Sequence, residues 1–208
     1  MPNATSLANP RQAIGGWPLF WFNAFWLTLM VIVLAGQHGF DIEGVRIVVR
    51  TTAQTSLALF LTAFVASSLH ALVPSAPTRW LLANRRYFGV SFAYSHFLHA
   101  VGLYAFATLD PALFATQASP AMFVFGGIAY GFIVLMTLTS FDTTAELIGP
   151  RAWQVLHTLG AYDIWLTFMV AEGRRALNDS YYWPFVGLLL AAMALRLLAG
   201  SARRRAFV

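Results

Sequence analysis

No cysteine occurs among the 208 residues. Disulfides, thiolate metal sites and iron–sulfur clusters are excluded, and cysteine usage leaves the redox compartment unreadable. Lysine is also absent, so every basic residue is an arginine. Charge of either sign is scarce: 10% of residues are charged, against roughly 25% in an average soluble protein. No G-x-G-x-x-G segment follows a strand pattern, so no flavin or nicotinamide motif is present. What fills the space is apolar. The chain is 59% hydrophobic with a mean hydropathy of +0.65, too apolar to cover a water-facing surface, and the membrane class follows. The net charge of +5 is read as a topology signal at helix ends, and no nucleic-acid partner is expected.

The pattern predicts an all-α integral membrane protein, a six-helix transmembrane bundle spanning residues 17–200, with an N-terminal tail over 1–16 and a basic tail over 201–208. Trp17 to Gly36 is the first apolar run; it lacks a small-x-small cleavage site and is read as a retained helix. Residues 37–50 read as a polar loop. The second span, Thr51 to Val73, is stopped by Pro74 and Pro77, and an arginine-bearing loop follows. Spans three to six are expected over 87–109, 120–140, 151–171 and 182–198, with residues 141–150 a short amphipathic connector. Six spans put both termini on one side. Arg11, Arg79, Arg85, Arg86, Arg151 and Arg203 to Arg205 collect there, against Arg46, Arg50, Arg174 and Arg175 opposite. The positive-inside rule then makes both termini cytoplasmic.

Histidine inside a bilayer is costly and commonly functional. Four of the five histidines fall in predicted spans: His70, His96, His99 and His157. His99 and His157 each begin H-x-x-G-x-Y, ending in Gly102-x-Tyr104 and Gly160-x-Tyr162. A neutral imidazole is a common metal ligand. Glycine three residues on, on the same helix face, leaves bare backbone where a flat porphyrin can lie. The expectation is one b-type haem between spans three and five, ligated by His99 and His157. Arg85, Arg86 and Arg151 at the rim are candidate partners for its propionates. Depth counted from the outer ends favours His96 as the third-span ligand, whereas the motif favours His99. His70 is a candidate for a second haem or for a propionate hydrogen bond, and otherwise an interfacial polar residue. Asp163, the one acid well inside a span, is read as a proton relay, a quinone contact or a paired polar group. His38 lies in a loop.

Arg85-Arg86-x-x-Gly89 leads to His99 thirteen residues after the second arginine. Leu138-Thr139-Ser140 precedes a short connector and then Trp153-Gln154-Val155-Leu156-His157. Over spans two to five these residues resemble the ferric-reductase-like transmembrane domain, most nearly the haem-binding membrane subunit of the bacterial periplasmic methionine sulfoxide reductase system. The resemblance implies a haem b electron-transfer protein of the bacterial inner membrane and a possible oxidoreductase subunit. It further implies electrons from a separate flavin or NAD(P)H protein or from quinol, and a partner such as a flavin reductase or periplasmic enzyme. One departure is plain: where the family carries a further histidine on the fifth span, this chain has the apolar Val170. The alternative is a non-redox transporter or assembly scaffold whose histidines are structural, and a haem-free di-histidine quinone site comes third.

Overall fold

The computed structural model describes residues 14–118 and 120–205. The expected N-terminal tail, with Arg11, lies almost wholly outside the described residues. Every regular element among them is helical: α1 Trp17–His38, α2 Ile42–Leu72, α3 Ala76–Ala83, α4 Arg85–Leu109, α5 Pro111–Gln117, α6 Pro120–Leu138, α7 Asp142–Ala176 and α8 Trp183–Arg205, with a 3-10 turn at Ser180–Tyr182 before α8.

The expected polar loop over 37–50 shrinks to three residues, 39–41. Asp41 caps α2 by accepting a hydrogen bond from the Gly44 amide at 2.9 Å. Val45 and Val48 then recur at helical spacing on the buried face, and Glu43 pairs with Arg46 on the other face at 2.8 Å. These terms outweigh the local polarity that made the segment look like a loop. The loop after Pro74 likewise holds a helix, α3. Ser75 and Thr78 form a reciprocal capping box, with a proline in its first turn. The amphipathic connector is helical too. It runs into the fifth predicted span, broken at Gly149, whose φ of 75° leaves the helical region just ahead of Pro150.

α2 is the central element, packed against α1, α3, α4 and α8. Its seam with α4 is polar and tight. Thr52, Ser56, Ser91 and Ser95 are fully buried, and the Ser56 hydroxyl meets that of Ser95 at 2.9 Å. Small hydroxyl residues allow close backbones and bond across the interface, as membrane helices require where no hydrophobic effect drives association. The apolar core lies beside this seam, where Phe60 and Phe64 of α2 meet Phe92, Ile133, Ile164, Phe168 and Leu189.

The outside is apolar: Trp21, Phe25, Ile32, Val124 and Leu197 are each at least 60% exposed. A polar seam inside and aromatic and aliphatic side chains outside suit a lipid environment. Three helical stretches among the described residues are long and apolar enough to cross a membrane: Trp17–His38, Ile42–Leu72 and Ser180–Ala202. α5 with the Met122–Leu138 part of α6 makes a fourth if that bent pair is one span. α4 and α7 are long enough, but they carry His96, His99, His157, Ser91, Ser95, Gln154 and Asp163, which lower their hydropathy. Length and apolarity alone therefore give a multi-pass protein but not a count of six.

Candidate functional site

A cavity of about 440 Å³ lies between α2, α4, α6 and α7, lined by Phe60, Gly89, Phe92, Trp153 and His157 among others, with Arg85 and Arg86 in its wall. A second and more open pocket of about 780 Å³ adjoins it, sharing Arg85, Trp153 and His157 and adding Gln154, Glu146 and Arg196. Both volumes fall in the range of roughly 300–1,000 Å³ usual for small-molecule sites.

His157 is held firmly. The Trp153 indole stacks on it at 4.1 Å between ring centroids and is itself fixed by donating to the Thr139 carbonyl at 2.9 Å. His157 Nε2 lies 3.0 Å from Thr139 Oγ1. That hydroxyl spends its only proton on the Leu135 carbonyl at 2.8 Å. With its proton there, the hydroxyl accepts from the imidazole, an assignment that puts the ring proton on Nε2 and the lone pair on Nδ1. A ring whose N–H is engaged by a neighbour while the other nitrogen stays basic is how ligating histidines are oriented.

His99 is fixed in the opposite tautomer. Its Nδ1 lies 2.9 Å from the Val49 carbonyl, which only accepts, so Nε2 holds the lone pair. The His96 ring stacks on His99 at 5.1 Å with a 30° interplanar angle. It also faces Tyr130 at 4.8 Å and Phe168 at 6.0 Å. His96 Nδ1 is buried without a hydrogen-bond partner. Stacked rings do not aim their in-plane lone pairs at one point, so this pair is not a chelate. Among the described residues no group of three or more His, Asp or Glu is placed to hold a metal ion.

His99 and His157 are not brought together. His157 sits level with Thr139, whereas His96, one turn from His99, sits level with Tyr130 and Phe168. Nine residues of α6 and eleven of α7 separate these levels, roughly 14 and 16 Å at about 1.5 Å per residue. Imidazole–metal bonds are about 2 Å long, so one iron does not reach both. Neither glycine offers bare backbone to a macrocycle. A side chain on Gly102 would stand 2.9 Å from Val49 Cγ2, and one on Gly160 would run into Met136 Sδ and lie 3.0 Å from Phe132 Cδ1. Each lets a neighbouring helix in. Gly89, in the wall of the smaller cavity, has open space beside it.

The remaining candidates divide. Arg85 donates from Nε to the Ala63 carbonyl at 3.1 Å. Arg86 donates to the Ser140 carbonyl and pairs with Asp142 at 2.7 Å. Arg151 is exposed and outside both cavity walls. His70 Nδ1 bonds Thr78 Oγ1 at 3.0 Å and clamps the α2–α3 corner; it lines neither cavity. Asp163 has a buried oxygen without a partner. Glu172, 2% exposed, pairs with Arg175 at 3.0 Å. Sequence reasoning passed over Trp153 and Thr139 as site residues and left Arg196 unremarked. Arg196, a lone charge in the last apolar run, was the signal available.

No family model, no curated protein and no solved structure matches the chain. What the site does therefore rests on its own geometry.

Proposed function

We propose that the chain is a six-span membrane protein that holds a b-type haem in the 440 Å³ cavity and serves as a transmembrane electron-transfer subunit. The observation that supports this most is the oriented imidazole in the cavity wall: His157, stacked on Trp153, with Nε2–H engaged by Thr139 and Nδ1 left basic. The rest of the donor set suits the group. Phe60 and Phe92 give apolar walls for a macrocycle, Gly89 gives room, and Arg86 gives a cation for a carboxylate. A bound haem supplies one-electron chemistry, and the protein supplies ligation, orientation and insulation from water. His157 is the single imidazole in that wall, so it is the protein's one ligand there.

Under this reading α4 and α7 also cross the bilayer, with α2 and α6 covering their polar groups. Both termini are cytoplasmic, in a bacterial inner membrane. Electrons come from a separate flavoprotein or from quinol. The resemblance to the ferric-reductase-like domain agrees with this reading.

The test is an absorption spectrum of the purified protein, oxidised and dithionite-reduced, with a pyridine haemochrome count per chain. About one b-type haem per chain is expected. His157→Ala should abolish it, whereas His99→Ala and His70→Ala should retain it. Full haem content in His157→Ala would end the proposal. A second reading, a non-redox transporter or scaffold, is favoured by one observation: His70, His99 and His157 each hydrogen-bond within the bundle. It predicts a colourless protein even when haem is supplied during expression.

A further inference from the structure

Arg196 is a charged residue inside the last apolar helix, about seven residues or roughly 10 Å before the arginines that end α8. A charge at that depth is expensive and rarely idle. One of its five N–H donors is used, by the Phe64 carbonyl at 2.9 Å. Its guanidinium lies over the Phe64 ring at 4.3 Å and the Tyr162 ring at 5.0 Å. These contacts fix its plane without neutralising it. Arg85 enters the same pocket from α4, so two positive charges share one wall. Neither makes an ion pair among the described residues.

Two fixed, unneutralised guanidiniums facing one open pocket are matched to an anion. The pocket's other walls agree. Gln154 and Thr158 add hydrogen-bonding groups. Gly149 breaks α7 here, so the N-terminal end of the segment beginning at Pro150, the positive end of its dipole, lies in the pocket wall. Glu146 is the one acid in the wall, and it is exposed. Leu147 beside it is 80% exposed and Leu197 on α8 is 64% exposed, surfaces along which acyl chains can lie.

We propose that this pocket binds the headgroup of an anionic lipid, its phosphate held between Arg85 and Arg196. The phosphate takes the place of the missing carboxylate between the two arginines. A basic pocket between helices near the cytoplasmic face is the setting in which such headgroups are recognised. The inference does not rest on haem binding, since a haem-free protein presents the same two arginines.

The experiment is lipid retention by native mass spectrometry. The full-length protein is released from nanodiscs holding equal amounts of phosphatidylglycerol and phosphatidylcholine. Wild type should keep phosphatidylglycerol in preference. Arg196→Gln should weaken that preference by roughly fivefold or more, the effect of about one surface cation. Because Arg196 also braces Phe64, its loss can disturb folding. Glu146→Gln, at an exposed position, therefore carries the second arm: removing the one nearby negative charge should strengthen retention. Equal retention of the two lipids by wild type would overturn the proposal, as would weaker retention in Glu146→Gln. If inorganic phosphate alone raised the melting temperature as much as phosphatidylglycerol does, the site would be one for a free anion and the lipid assignment would fall.

Discussion

Gly102→Ala separates two explanations of the repeated H-x-x-G-x-Y pattern. The added methyl would stand 2.9 Å from Val49 Cγ2, well inside the 3.5–4.0 Å at which carbons attract, about 0.1–0.2 kcal/mol per pair. Valine is stiff about χ1, so α2 and α4 must part rather than let the side chain yield. Overpacking of this kind costs about 1–3 kcal/mol. The gain in helix propensity from glycine to alanine returns up to about 1 kcal/mol. The expected net loss is about 1 kcal/mol, read as a shift in denaturation midpoint in mixed detergent micelles. Val49→Ala made together with Gly102→Ala should restore most of it, giving a coupling of about 1 kcal/mol. Gly160→Ala should cost less, because its nearest neighbour is the flexible end of Met136. Haem per folded chain should stay unchanged in both. A Gly102→Ala protein of wild-type stability that had lost its haem would refute the packing explanation and return the glycine to the cofactor.

Thr139→Val keeps the shape but removes the acceptor of the His157 N–H. Haem affinity should fall about 10- to 100-fold, as for other outer partners of ligating histidines, and a haem titration of the apoprotein reads it; unchanged affinity would count against the assigned tautomer. Ser95→Val adds bulk at a fully buried position and removes hydroxyl contacts to Ser56 and Thr55. A loss of about 2–4 kcal/mol is expected from overpacking plus weak interhelical bonds, and a stable Ser95→Val would show the α2–α4 seam to be looser than described. The two i,i+3 ion pairs should differ. Glu43→Ala breaks a pair whose acid is 68% exposed and should cost under about 0.5 kcal/mol. Glu172→Ala breaks one whose acid is 2% exposed and should cost about 2 kcal/mol, softened because the remaining arginine reaches solvent; equal effects would place Glu172 at the surface.

Much of the helical layout was legible because long apolar runs ended by Pro, Gly and charge leave little choice of element. α1 and α8 were found within a few residues at their starts, while the start of α2 was not. Residues 42–50 look polar in a linear reading, yet Val45 and Val48 recur at the helical period and Asp41 stands where a cap belongs. A loop reading that counts polarity misses periodicity. α3 failed in the same way, its prolines taken as stops when one opens a helix behind a capping box. The tightness of the α2–α4 seam was not legible at all. Serine and threonine in an apolar run read as dilution of hydrophobicity until the partner helix is known, and Ser56 meeting Ser95 depends on the relative rotation of two helices.

The site divides along the same line. A local motif states what flanks a histidine on its own helix, not the level at which it meets a neighbour. His99 and His157 share flanking residues because both helices need a glycine where another helix crosses, Val49 at one and Met136 at the other. The rise per residue counted from the inner rim fits the structure better than the motif does, whereas the count from the outer ends pointed to His96, which also lies far from the level of His157. His99 lies thirteen residues past Arg86 but His157 only six past Arg151, roughly 20 and 9 Å along their helices, a mismatch of about two turns. The structure places Arg86 beside Ser140 and Asp142, level with Thr139 and so with His157. Arg85 and Arg86 are thus the part of α4 that faces His157, and His99 is far beyond it. Counting from a shared rim assigns depth with nothing more than the pitch of a helix. Where a repeated motif and that count disagree, the count has the firmer physical basis, since backbone geometry fixes it and flanking residues answer to local packing.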